Sequence, residues 1–330
     1  MTENRFLKML TAPFRFLCCW RSLPFYELLS YPLMYASIVM LAYGIQPYDQ
    51  QIIQVIILTV LTMYSGFFAA LIWNDITDAD IDAQVHPDRP IPSGRISSSR
   101  FFAIALVFSF FTGFFAYMIS IWCLFVVCCA AVFVAIHDKY LKKRVQFPAY
   151  SEIFTPIQWI VVIIFGYIAI WSTLPQSTQL SFSLPFIGSL QTTMVQLENM
   201  ILLVVFTYFL DNAHDLPEGI HDVKGDRISG VKTYATSFGE KNAAFISFAM
   251  YSFVGILAVI IFLRTVLSWM FFIPFVIMWS YILFHSYKLL KKPIPEMRRY
   301  GSIVGRKGFT FLLFTFDFMF LDLLISLFFG

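Results

Sequence analysis

The chain alternates long apolar stretches with short polar ones. Nine stretches are apolar over roughly the 20 residues a helix needs to cross a bilayer. They run at about 25–46, 51–73, 101–118, 120–136, 152–171, 193–211, 243–263, 268–285 and 308–329. The third and fourth form one apolar run too long for a single span, and Gly113 or Ser120 marks its turn. The runs are continuous and do not alternate with period two, which excludes a membrane β-barrel. The pattern predicts an all-α, polytopic membrane protein of nine transmembrane helices. It predicts one membrane-embedded domain over residues 1–330, led by an arm of about residues 1–24.

Composition supports this class. Hydrophobic residues make up 59% of the 330 positions and charged residues 13%, against about 25% charged in a soluble domain. A soluble enzyme, a disordered chain and a disulfide scaffold are excluded. Of the five cysteines, Cys123, Cys128 and Cys129 lie inside one apolar run and read as small apolar residues. Cys18 and Cys19 stand near the membrane edge, where acylation is an option. Neither CxxC nor HExxH occurs, so zinc is not expected.

Basic residues set the orientation. With the N-terminus cytosolic, all but Arg264 of the 23 Lys and Arg residues fall on the cytosolic side, and the C-terminus lies opposite. The first 24 residues read as neither a cleavable signal nor a transit peptide. That favours the endoplasmic reticulum or a bacterial inner membrane. The far-side segment 172–191 reads as a connector.

The acidic residues are concentrated. Eleven of the 20 lie in two short segments, each starting where an apolar span ends on the cytosolic side. The first holds Asn74, Asp75, Asp78, Asp80 and Asp82, with Asp88 following. The second runs from Asp211 through Asp215, Glu218, Asp222 and Asp226 to Glu240. On a helix Asp75, Asp78 and Asp82 share a face, as do Asn74, Asp78 and Asp82, and so do Asp222 and Asp226. Like charges at that spacing repel, and a hard divalent cation relieves the repulsion. Two such clusters suggest a Mg²⁺–diphosphate clamp with Asn74, Asp75, Asp78, Asp82, Glu218, Asp222 and Asp226 as metal ligands. Arg89, Arg95, Lys142, Lys224 and Arg227 are candidates for the diphosphate oxygens. His86, His214 and His221 read as polar loop residues.

These residues resemble the UbiA superfamily of intramembrane prenyltransferases. Asn74–Asp82 fits its first signature, NDxxDxxxD, and Pro87–Ser97 is similar to the RPxRPIPSGRIS continuation. Asp222-Val223-Lys224-Gly225-Asp226-Arg227, with Gly230 and Ser237-Phe238-Gly239, resembles the second signature, DxEGDR…G…FG. Glu218 and Gly219 stand where many members carry a further Asp or Asn, and Lys224 stands where many carry Glu. The first span lacks the Arg-Pro-containing start of many acceptor-using members.

The resemblance implies a nine-helix bundle, an allylic prenyl diphosphate substrate and Mg²⁺, with Asn74, Asp75, Asp78, Asp82, Asp222 and Asp226 carrying the chemistry. It implies no nucleic acid and no obligatory protein partner besides the lipid bilayer. After ionisation, the allylic cation meets either a double bond of its own chain or an external acceptor. The 39 Phe, 16 Tyr and 7 Trp suit the first outcome, because aromatic faces stabilise cations. The unusual first span points the same way. The expectation is therefore a terpene cyclase, with farnesyl diphosphate as the guessed substrate. The alternative is a prenyltransferase acting on an aromatic or other lipophilic acceptor. A transporter is disfavoured, since the spans hold few ionisable residues.

Overall fold

The structure, a computed structural model, describes residues 24–85, 87–141, 144–174 and 179–329. Twelve α-helices follow in chain order among them: α1 Phe25–Tyr43, α2 Gln50–Thr77, α3 Ala79–Val85, α4 Ser98–Ile119, α5 Ile121–Ile136, α6 Tyr150–Phe154, α7 Ile157–Thr173, α8 Met194–Ser229, α9 Tyr234–Phe238, α10 Glu240–Arg264, α11 Trp269–Leu290 and α12 Ile294–Phe329. Eight helical stretches are long and apolar enough to span a membrane, with α6 and α7 counted together. The ninth expected span, α5, is shorter at 16 residues and continues into a π-helical turn at His137–Leu141. The protein is an all-α, multi-pass integral membrane protein.

Local chemistry sets the helix ends. Ser120 separates α4 from α5: it is extended, and its hydroxyl accepts the N–H of Cys123 at 3.1 Å. Of the two expected turn positions, Ser120 is therefore the one used, and Gly113 stays inside α4. Asp49 caps α2 by accepting the N–H of Ile52 at 3.0 Å. Three helices contain an internal proline, Pro32 in α1, Pro217 in α8 and Pro274 in α11, which leaves the carbonyl four residues earlier without its donor. In α1, Pro32 frees the carbonyl of Leu28, and the hydroxyl of Tyr64 donates to it at 3.0 Å. In α8, Pro217 frees the carbonyl of Ala213, and the hydroxyl of Ser247 donates to it at 2.7 Å. In α1 and α8 a neighbouring helix thus repairs the break, as an apolar surrounding requires.

Three features depart from the sequence expectation. Helix α8 does not stop near residue 211 but runs on to Ser229, and α12 starts at Ile294 instead of 308. Hydropathy marks where a helix leaves the apolar layer, whereas backbone hydrogen bonding continues past that point. The segment 172–191 is more than a connector, because Leu180–Leu184 pairs antiparallel with Gly188–Thr192. Leu180, Phe182 and Leu184 alternate with two serines, a period-two strand pattern, and Phe186 turns the hairpin at φ 68°, next to Gly188 at φ 102°.

The spans pack as a closed ring. Its order is α1, α2, α4, α5, α7, α8, α10, α11 and α12, which returns to α1; α1 also touches α7, and α8 touches α12. Helices α8 and α12 approach closely because Gly301, Gly305 and Gly308 line the contact. A Cβ at these positions would collide with the carbonyl of Pro217, with Glu218, and with Tyr251 and His214 respectively. Small residues at such crossings let backbones approach.

Both acidic segments come to one end of the ring. Leu28, at the start of α1, packs with Phe68 and Ile72 near the end of α2, and Glu27 feels the charge of Glu218 on α8. The α5–α6 and α8–α9 connections meet there too: Ser151 N–H donates to the carbonyl of Lys232 at 3.1 Å, and Ala149 N–H to Ser237 Oγ at 2.9 Å. At the opposite end lie the hairpin and the C-terminus of α1, where Gln196 Nε2 donates to the carbonyl of Ala42.

Candidate active site at the acidic end of the bundle

The first cluster sits where α2 gives way to α3. Asp78 leaves helical geometry at φ −97°, ψ 5°. The i→i−4 bonding persists: Asp78 N–H donates to Asn74 O at 2.9 Å and Asp82 N–H to Asp78 O at 2.8 Å. The predicted stripe therefore survives the break. Asp75 and Asp82 are buried, whereas Asp80 is exposed, off the stripe as its spacing requires. Arg89 forks onto both oxygens of Asp82 at 2.8 and 2.7 Å and lies 3.8 Å from Asp75. Asn74 Nδ2 donates to Asp78 Oδ2 at 3.2 Å.

The second cluster is a longitudinal stripe on α8. Residues 211, 215, 218, 222 and 226 recur at helical spacing and lie on one side of the helix. Burial falls along the stripe. Asp211 is 1% exposed, Asp215, Glu218 and Asp226 are partly buried, and the Asp222 side chain is 68% exposed. His214 is buried beside the deep end of the stripe. Its Nε2 lies 2.9 Å from Asp211 Oδ1 and its Nδ1 lies 3.4 Å from Asp215 Oδ1. One ligand atom from each of Asp211, His214 and Asp215 falls within 4.8 Å of the others.

Several buried polar atoms here have no hydrogen-bond partner: Asp211 Oδ2, Asn212 Oδ1, Tyr251 Oη and Glu152 Oε1. Such atoms are costly in an apolar setting. Carboxylate oxygens in that state suit a hard divalent cation, so the donor set fits one. Glu152 comes from α6. It is 5% exposed, accepts the backbone N–H of Tyr234 through Oε2, and feels the charges of Asp215 and Asp226.

Aromatic rings join the two cluster-bearing helices. Phe67 on α2 stands 4.4 Å from Tyr31, Tyr31 stacks on Trp159 at 5.9 Å, Trp159 meets Phe309 at 6.5 Å, and Phe309 lies 5.2 Å from His214. The row forms an apolar, π-rich floor between the acidic groups.

The expected cationic residues divide by environment. Arg89 is engaged with the first cluster. Arg95 is tied into its own loop through the Asp88 carbonyl and Ser93 Oγ. Arg227 lies 3.8 Å from Glu240, which Arg298 also holds at 2.5 Å. Lys224 is exposed on α8. Lys142 and His86 lie outside the described residues. His214 and His221 are helical and not loop residues: the first is buried among acids, and the second contacts the Arg298 carbonyl at 3.0 Å. Arg306 acts electrostatically on Glu218 from α12. The sequence reading left out Asp211, Asp215, His214, Glu152 and Arg306 as site residues. Extending the stripe backwards in steps of three and four would have reached Asp215 and Asp211. Glu152 and Arg306 belong to other helices and follow no local spacing.

The sequence profile of the UbiA prenyltransferase family matches residues 31–300. A digeranylgeranylglyceryl phosphate synthase from Saccharolobus solfataricus is 25% identical over 166 residues, which is 50% of this chain and 50% of that protein. The chain thus spans about half the length of the curated relatives it matches. A UbiA homologue from Aeropyrum pernix shares the fold with a TM-score of 0.64 at 16% identity, covering 87% of this chain and 98% of that one. A UbiA homologue from Archaeoglobus fulgidus, solved bound to GPP and Mg²⁺, superposes with a TM-score of 0.51 at 15% identity, covering 86% and 95%.

Proposed function

The chain belongs to the UbiA prenyltransferase family, and from that premise we propose that it moves a prenyl group from an allylic prenyl diphosphate to a lipophilic acceptor within the membrane. The observation that carries this is the meeting of two acidic clusters at one end of the bundle, with a floor of aromatic rings between their helices. Relatives named as digeranylgeranylglyceryl phosphate synthases favour transfer over the cyclisation expected from the aromatic content. The rings of the floor pack on one another, a role that accounts for them without a cyclising cavity.

The geometry supports the following roles. Asn74, Asp75, Asp78 and Asp82 on one side, and Asp215, Glu218, Asp222 and Asp226 on the other, hold divalent cations, Mg²⁺ in our reading, as in the homologue bound to GPP and Mg²⁺. A cation bound there neutralises charge on a leaving diphosphate. Arg89, already within reach of both Asp75 and Asp82, shares its donors with a phosphate oxygen. Arg95, Lys224, Arg227 and Lys142 raise the positive potential at the entrance. The rings of Phe67, Tyr31 and Trp159 keep water from the allylic carbon. The N-terminus and the acidic end face the cytosol, because the basic residues collect at that end.

Membranes containing the protein, given Mg²⁺ and C10, C15 or C20 diphosphates, test this. Transfer predicts slow hydrolysis to a linear alcohol without an acceptor. Turnover should rise sharply with geranylgeranylglyceryl phosphate or an aromatic acid. A cyclic hydrocarbon formed without any acceptor would overturn transfer.

A further inference from the structure

Position 219 lies beside Glu218 on the acidic face of α8. At about 100° per residue, positions 215, 219, 222 and 226 fall within an arc of about 60°, and three of the four are Asp. The fourth is Gly219. The space beside it is filled, because a Cβ built at 219 would collide with Glu152 Oε1. A carboxylate from another helix therefore stands where a side chain from 219 would stand. Glu152 is held for this by its other oxygen, which accepts the Tyr234 N–H. The backbone just before α6 takes a left-handed turn at Ala149, φ 57°, with its N–H donating to Ser237 Oγ at 2.9 Å. Oε1 is buried without a hydrogen-bond partner, and Asp215 and Asp226, which flank position 219, act on the same carboxylate. Tying down Tyr234 explains Oε2 alone. It leaves unexplained why a second, unpartnered oxygen is buried against a run of aspartates.

We propose that Glu152 is a cation ligand of the second acidic cluster, contributing from α6 the carboxylate that Gly219 cannot. This rests on the reading of that cluster as a cation–diphosphate site. The glycine is then a requirement of the arrangement, since any larger residue at 219 displaces Glu152.

The test uses the full chain in detergent, with Mn²⁺ and inorganic diphosphate as probes and Mn²⁺ binding followed by electron paramagnetic resonance. Glu152→Gln keeps the volume and the acceptor for Tyr234 but removes the charge. It should weaken Mn²⁺ binding at least about tenfold, a loss that even residues behind a ligand commonly cause, with the helical circular dichroism unchanged. Glu152→Ala should weaken it as much, and Glu152→Ala combined with Gly219→Asp should recover most of the affinity. Wild-type affinity in Glu152→Gln, alongside weakened binding in Asp226→Asn, would overturn the role of Glu152 and leave the cation site standing. A double variant no better than Glu152→Ala would overturn the placement at 219. Failure of the wild type to bind Mn²⁺ at all would overturn both this inference and the site reading beneath it.

Discussion

At the residue scale, the two clusters differ in how they manage like charge. In the first, Arg89 lies against Asp75 and Asp82 and offsets their repulsion. In the second, the compensation is spread along the helix: His214 lies between Asp211 and Asp215 at the deep end, Arg306 acts on Glu218, and His221 stands 3.9 Å from Asp222. Asp78→Ala removes an oxygen on the shared stripe and should abolish diphosphate release, measured as phosphate after pyrophosphatase treatment, while insertion into membranes is unchanged. Asp80→Asn alters an exposed side chain off that stripe and should retain activity within a few-fold. Arg89→Ala should do more than remove a phosphate contact, because it takes from the buried Asp82 the guanidinium that meets both of its oxygens. Breaking a buried pair costs about 3–5 kcal/mol, so its thermal transition in detergent should fall as well as its activity. An unchanged transition with lost activity would assign Arg89 to the substrate alone.

At the scale of elements, helix continuity carries the site. The first cluster was legible because Asn74–Asp82 and its loop are contiguous and their spacing reports a helical face directly. The upper part of the second was legible for the same reason. Asp211 and Asp215 were legible as part of the acidic segment but not as one helical face with the rest, because the apolar span reads as ending near residue 211 and α8 continues past that boundary. Glu152 was invisible for a different reason, since only the α6–α8 contact relates it to Gly219. The hairpin at 180–192 was legible in its alternation, but Pro175, Pro185 and Gly188 around it read as the punctuation of a connector. Continuity of α8 across Pro217 depends on Ser247, whose hydroxyl takes the place of the missing backbone donor. Ser247→Ala leaves the buried Ala213 carbonyl unsatisfied and should cost about 1–3 kcal/mol. The readout is the thermal transition in detergent, with Ser252→Ala, whose hydroxyl only bonds back within its own helix, as the control expected to change little.

At the scale of the whole molecule, the ring closes only if α2, α8, α10 and α12 bring their polar ends together. Every connection observed at that end agrees. Helix α1 begins beside α2 and close to Glu218, α6 reaches both Tyr234 and Gly219, and α12 crosses α8 at the level of the acidic stripe. The hairpin and the α1 C-terminus occupy the other end. Membrane topology is therefore the broadest check on the fold and on the site at once. In a background without reactive cysteines, single cysteines at Ser93, Lys224 and Lys292 should be labelled by an impermeant maleimide from the cytosolic face. A cysteine at Phe186 in the hairpin turn should be labelled only from the opposite face. Ser93 and Lys224 are the informative pair, because they mark the loops following the two acidic clusters. Labelling of these two from opposite faces would separate the clusters by a bilayer. No arrangement of nine or eight spans could then make one site from both.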